Sequence, residues 1–206
     1  MPTSPGPLLQ AVDRLWSDLR QQVPDLPPVQ VVVSPQPQRA DHGHWRWGRA
    51  PDGETVTGLI VPATVLAEGG EATAGHILHE AAHVLCWVRG LKGVTVRGAY
   101  HNADFRQAAE EVGLVWPEGW ERTARHGFST TALADGTRHA LRDHVNTFDV
   151  VIPGVLPHVT VATPPRNREH RVTLSCQCEP VRNLRIAKSV ADQGPIRCEV
   201  CGNRFT

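Results

Sequence analysis

The stretch TAGHILHEAAHVLCWVRG, residues 73–90, decides how the rest of the chain is read. Within it, His79-Glu80-Ala81-Ala82-His83 forms an H-E-x-x-H pattern. On an α-helix, residues four apart stack one turn above each other. His79 and His83 can therefore offer two imidazole nitrogens to one zinc ion. Glu80 lies about 100° round the helix from His79, able to reach a water on that metal without taking a coordination position. Zinc with an open position lowers its water's pKa to about 7 and polarises a carbonyl. A carboxylate beside that water takes its proton and passes it to a leaving amine. Ile77, Leu78, Ala81, Ala82, Val84, Leu85, Trp87 and Val88 make the segment apolar nearly all round, which predicts a buried helix. Paired helix histidines can also be plain surface or core residues. Burying two of them with a glutamate is costly without a partner, and a metal supplies one.

The chain around this stretch has 206 residues, enough for one ordinary domain or a domain with a small appendage. Its formal net charge of +0 advertises neither nucleic acid nor membrane. That balance hides an asymmetry. Residues 1–163 hold 13 Lys+Arg against 17 Asp+Glu, whereas residues 164–206 hold 8 against 4. A small basic tail suits an anionic partner or simply a solvated surface. The opening residues MPTSPGPLLQAVDR show neither a basic n-region nor an apolar core, so no signal peptide is expected. No apolar run approaches membrane-spanning length, so no membrane partner is expected. The five cysteines form an odd set, four of them in the last 31 residues and Cys86 alone on the motif helix. Reduced thiols in a cytoplasmic protein fit this better than a secreted disulfide framework.

Upstream of the motif, Leu8, Val12, Leu15, Trp16, Leu19 and Val23 recur at helical spacing and predict an amphipathic helix ending before Pro24. Val29–Val33 reads as a strand. The runs 45–48 and 55–61, separated by Ala50-Pro51-Asp52-Gly53, read as a hairpin. A short helix is expected after Pro62. These strands predict a small antiparallel sheet laid against the motif helix. If the 55–61 strand is an edge, its free backbone could hold a substrate peptide.

Downstream, Gly90 ends the helix and a glycine-rich loop, 91–99, leads to Tyr100-His101-Asn102-Ala103-Asp104-Phe105. Phe105, Ala108, Ala109 and Val112 form one face of a second helix. A loop of roughly ten residues between two helices can bring His101 back over His79 and His83, making it the third ligand. A carboxylate from Asp104, Glu110 or Glu111 is the other candidate. The longer pattern ending in G-x-x-H is excluded, because Cys86 and Arg89 stand where it wants Gly and His. His76, one turn before His79, reads as a supporting or packing residue, and Cys86 as a small apolar filler.

These residues, His79-Glu80-Ala81-Ala82-His83 followed by a loop, His101 and Phe105, resemble the SprT-like zinc metallopeptidases. The resemblance covers roughly residues 10–115. It implies that His79, His83 and His101 bind zinc, that Glu80 is the general base, and that the fold is zincin-like. The family usually has glycine after its third histidine; here Asn102 stands, a residue suited to capping the next helix.

Residues 114–163 are harder to read. Trp116-Pro117-Glu118-Gly119-Trp120 is a turn, Leu133–Phe148 carries helical spacing, and 150–152 and 159–161 resemble strands around Pro153 and Pro157. His126, His139, His144 and His158 have no ligand spacing. Thr163-Pro164-Pro165-Arg166 reads as a linker. Beyond it, Cys176-Gln177-Cys178 and Cys198-Glu199-Val200-Cys201-Gly202 are two close thiol pairs suited to one tetrahedral Cys₄ zinc. A redox dithiol or unpaired thiols are the alternatives. A C-terminal zinc ribbon with a narrow first pair also occurs in SprT-like proteins. Arg166, Arg168, Arg171, Arg182, Arg185 and Lys188 could form a phosphate-contacting face, though few aromatics interleave them.

The expectation is thus an α+β chain: a zincin-like metallopeptidase domain over 1–163 with a helical extension, and a zinc ribbon over 164–206. It is expected to be monomeric and to use two zinc ions, one catalytic and one structural. The resemblance implies a zinc-dependent endopeptidase acting on protein that is bound or crosslinked to DNA, the ribbon being the docking piece. Three rival functions use the same residues. One is a DNA-binding ribbon protein with a silent protease site, and another is a regulatory protease cutting one partner without DNA. The third, a hydrolase of small molecules, lacks any sign of a closed small pocket.

Overall fold

The computed structural model describes residues 6–35, 47–95, 100–159 and 171–206. The expected linker at 163–166, with Arg166 and Arg168, lies outside them. The chain divides into two compact units, Met1–Val161 and Ala162–Thr206. The architecture is α+β, with several small sheets among the helices.

In the first unit, helix α1 (Pro7–Gln22) begins with proline at its first position and buries Leu8, Ala11, Val12, Leu15, Trp16 and Leu19. Its exit is pinned by side chains that reach past the helix end. The Trp16 indole donates to the Pro27 carbonyl at 2.9 Å, and Arg20 Nε donates to the Leu26 carbonyl at 3.0 Å. The chain then enters strand β1 (Val29–Ser34).

Strand β2 (Gly48–Arg49) and strand β3 (Val56–Pro62) form the expected hairpin, with two residues paired on each strand among the described residues; Trp45 and Arg46 lie outside them. Asp52 holds the turn, accepting from the backbone N–H groups of Glu54 and Thr55 at 2.9 and 2.8 Å. The sheet is mixed rather than antiparallel: β1 runs parallel to β3, in the order β1-β3-β2. Parallel neighbours need a crossover of a dozen or more residues, and residues 35–55 supply that length. Strand β3 is therefore the middle strand, not an edge. The Ile60 carbonyl is engaged by His76 Nε2 at 2.8 Å.

After a short helix α2 (Ala63–Leu66) comes α3 (Gly70–Val88), the motif helix and the spine of the core. Ala74, Ile77, Leu78, Ala81, Ala82, Val84 and Leu85 have no exposed surface. Its N-terminus has no side-chain cap of its own. Instead, Asp149 Oδ1, seventy-nine residues away, accepts from the Gly70 N–H at 2.7 Å. A Cβ on Gly70 would collide with the Val145 carbonyl, so only glycine allows this approach.

Strands β4 (Val94–Thr95) and β5 (Tyr100–His101) pair antiparallel and lead into α4 (Ala103–Glu111). Asn102 caps α4, its side chain accepting from the Phe105 N–H at 3.1 Å. Strands β6 (Leu114–Val115) and β7 (Ala132–Leu133) form another short pair. Helix α5 (Asp135–Ala140) precedes α6 (Arg142–Val159).

This last region differs from the sequence reading. Val150-Val151-Ile152 is helix, as is Val159; residues 160–161 lie outside the described set. The helix continues through Pro153 and Pro157, although each removes a backbone donor. Both prolines are exposed, while Phe148 and Ile152, one turn apart, are buried in the core. Burial of that face outweighs the β-preference of the valines and the cost of the prolines.

The second unit is a hairpin of β8 (Arg171–Ser175) and β9 (Asn183–Ala187), followed by a single helical turn, α7 (Lys188–Ala191). No helix among the described residues is long and apolar enough to cross a membrane.

Candidate metal centre

Helical stacking places His79 and His83 on one face of α3, with Nε2 atoms 3.2 Å apart. The pairing of β4 with β5 brings His101 back over them, its Nε2 3.2 Å from that of His83. Zinc–nitrogen bonds of about 2.0–2.1 Å in tetrahedral geometry put neighbouring nitrogens about 3.3 Å apart. Both pairs that include His83 match that spacing, and all three ligand atoms lie within 4.8 Å of one another. A ring proton shared between two nitrogens serves one such contact, whereas a cation at the centre serves three lone pairs together. The donor set could hold a metal ion and suits zinc. His83 and His101 are buried at 7% and 8% exposure, and Glu80, beside His79 on the helix, at 8%.

The carboxylates considered as third ligands are occupied elsewhere. Glu110 pairs with Arg106 at 2.9 Å, and Glu111 with Arg89 at 2.7 Å. Asp104 lies 3.4 Å from the Asn102 side-chain amide.

Two features hold the rings in place whose roles the sequence did not reveal. The first is Phe105, fully buried, whose ring centroid lies 4.9, 4.6 and 4.4 Å from those of His79, His83 and His101. One aromatic ring thus forms a common floor for all three. The second is the segment between β6 and β7. Its His126 carbonyl accepts from the His101 N–H at 3.1 Å, and its Phe128 N–H donates to the His101 carbonyl at 3.0 Å. Gly127, at φ +60°, lies so close that a Cβ would collide with the His101 carbonyl. Further along, Thr131 Oγ1 lies 3.3 Å from His79 Nδ1. The helical spacing places Phe105 on the buried face of α4, but not beneath the histidines. Nothing local marks Thr131.

The remaining sequence candidates fall into place around this centre. Burial holds the His76 ring below its ordinary pKa, partly offset by the Ile60 carbonyl, so it is neutral near pH 7. Cys86 is buried against Gly93, and burial pushes its thiol up to about 11, which makes it inert filling. The Tyr100 ring packs against Gly127. His144 pairs with Asp18 at 2.8 Å, His139 lies 3.2 Å from Arg142, and His158 is exposed.

In the second unit, Cys176, Cys178, Cys198 and Cys201 bring their sulfurs within 4.8 Å of one another. The Cys178 and Cys198 sulfurs are 3.7 Å apart, against about 3.8 Å for zinc–sulfur bonds of about 2.3 Å at a tetrahedron. The backbone N–H groups of Cys201 and Val200 point at Cys198 and bring its thiol down to about 6. Arg182 adds a positive charge 3.6 Å from the same sulfur. This cysteine set also could hold a metal ion and suits zinc.

Comparison with protein-family models, with curated proteins and with solved structures finds no match for the chain.

Proposed function

We propose that the chain is a zinc-dependent endopeptidase of SprT-like type, its catalytic site formed by His79, His83, His101 and Glu80. The observation that carries this reading is the convergence of three imidazoles, with His83 Nε2 3.2 Å from the Nε2 atoms of both His79 and His101 and a buried glutamate next to His79. Zinc bound there would supply a Lewis acid for a peptide carbonyl and a water acidified to near neutrality. The protein does the rest. His79 and His83 take two corners of the site from one helical turn, and His101 takes a third from β5. Thr131 holds the His79 ring in the tautomer that leaves Nε2 free to ligate. The Glu80 carboxylate accepts the proton of the attacking water and returns it to the leaving amine nitrogen. The cysteine unit serves as a structural zinc ribbon.

A DNA-associated substrate is supported by the β8–β9 hairpin. Arg185 sits directly opposite Thr173, with Arg171 diagonal to it on the same exposed face. Such a face suits phosphate contacts.

The test is metal analysis together with casein cleavage, with and without single-stranded DNA. About two zincs per chain are expected from the two sites. Glu80→Gln should retain both and lose about 10²–10⁴-fold in cleavage rate. A wild-type protein that carries both zincs and cleaves nothing under any of these conditions would remove the proposal. Activity indifferent to DNA and to loss of residues 164–206 would instead favour the regulatory-protease reading.

A further inference from the structure

The cysteine unit holds one arginine that the phosphate-contacting face leaves unused. Its two thiol pairs, Cys176-Gln177-Cys178 and Cys198–Cys201, sit on separate stretches of chain, and side chains stitch them together. Asn203 Nδ2 donates to Gln177 Oε1 at 3.1 Å. Arg182 makes the other link, and it does so from both of its ends. Its carbonyl accepts from the Cys176 N–H at 3.0 Å, and its Nη1 donates to Cys198 Sγ at 3.6 Å. Its main chain thus steadies the first pair while its guanidinium reaches a sulfur of the second.

Three observations set Arg182 apart from its neighbours. Arg171 and Arg185 share the exposed face of the β8–β9 hairpin, whereas Arg182, just before β9, turns its Nη1 onto the sulfur cluster. No carboxylate among the described residues pairs with it. The sulfur it meets belongs to Cys198, one of the two buried cysteines of the set. Four thiolates around one zinc ion leave a net charge of about −2. Charge held partly out of water is costly unless it is paired. A guanidinium is always protonated, and its N–H groups form charge-assisted hydrogen bonds. Such a donor spreads the thiolate charge and lowers the sulfur's affinity for protons and electrophiles.

We infer that Arg182 is a positioning residue of the cysteine metal site, its guanidinium offsetting the thiolate charge at Cys198 and locking the two thiol pairs around one ion. It therefore drops out of the arginines available to phosphate. The inference rests on the structural-zinc part of the reading above and not on peptidase activity.

Cobalt is the probe, because thiolate-to-cobalt charge-transfer absorption reports on the cysteine site and not on the histidine one. In the full chain loaded with Co²⁺, Arg182→Ala should move that band to longer wavelength, since a thiolate relieved of its hydrogen bond gives up an electron more readily. Chelator competition should show metal binding at this site weakened about 10–100-fold. Iodoacetamide labelling, mapped by mass spectrometry, should reach Cys198 faster than in wild type. Arg182→Lys keeps the charge but not the planar fork and should fall between. Arg185→Ala removes an equal charge from the exposed face and should leave band, affinity and labelling unchanged. The inference is overturned if Arg182→Ala matches wild type in band and affinity, if Arg185→Ala shifts them as much, or if the cysteines take up no cobalt. Should Arg182→Ala hold no cobalt at all, Arg182→Lys carries the same readings. A chain that shows these shifts yet cleaves no casein when zinc-loaded keeps this inference and loses only the peptidase reading.

Discussion

Thr131 Oγ1 lies 3.3 Å from His79 Nδ1, across fifty-two residues of sequence. With Nε2 turned to a metal, Nδ1 carries the ring proton and donates to the hydroxyl. Thr131→Val keeps the shape and removes the acceptor. Zinc affinity at the histidine site should drop about 10–100-fold in chelator competition, and Thr131→Ser should restore most of it. An unchanged affinity in the valine variant would show that the hydroxyl does not orient the ring.

Phe105 touches all three histidine rings and is fully buried. Phe105→Ala should cost about 3–5 kcal/mol in denaturant unfolding, the range for large core deletions. Phe105→Leu should cost less yet still weaken zinc binding, because a smaller floor lets the rings turn. Zinc titration of the leucine variant checks the second effect apart from the first.

Asp149 caps α3 from α6. Asp149→Ala should lower stability by about 1–2 kcal/mol, comparable to losing an N-cap side chain. Asp149→Asn, which can still accept the Gly70 N–H but lacks charge at the positive helix end, should lose less. Thermal melts of the two variants give the order.

Arg89 links the end of the motif helix to Asp25 at 2.7 Å and to Glu111 at 2.7 Å. The bond from Arg89 holds the Glu111 carboxyl below its ordinary value of 4.5. A carboxyl lowered on folding adds stability above its unfolded pKa, and that stability is lost as pH falls through the folded value. Arg89→Leu should therefore lower Tm at pH 7, with the gap to wild type closing below about pH 4.5. Both side chains are about one-third exposed, which limits the effect to about 1 kcal/mol.

Stripping metal should act unevenly. Among the described apolar residues of the cysteine unit, only Cys176 and Cys198 are buried, so bound zinc would supply much of its folding energy. A strong chelator should abolish hydrogen-exchange protection across 171–206 while leaving α1, α3 and α6 protected. Cys198→Ser should reproduce that loss in the second unit without chelator.

The parts of the site that were legible in sequence are those written at fixed local spacing. His79 and His83 fall on one face because a helix repeats every 3.6 residues, and the apolar residues around them place that helix in the core. Two short thiol pairs announce a tetrahedral site because each pair spans a single turn of backbone. The helices α1, α3 and α4 and the 50–53 turn were readable for the same reason: their signals sit within a few residues of the structure they specify.

Tertiary structure decided whatever depended on contacts between distant residues. The parallel pairing of β1 with β3 sets Val29 opposite Val56, twenty-seven residues further on, which no alternation of apolar residues encodes. Val150–Ile152 became helix because Phe148 and Ile152 bury one face against the core, and burial there exceeds the differences in local propensity. Thr131 at His79, Phe128 at His101 and Asp149 at Gly70 are all long-range partners. Hydrogen bonds and packing act through space, so the residues that steady the site could be found only once the chain was folded.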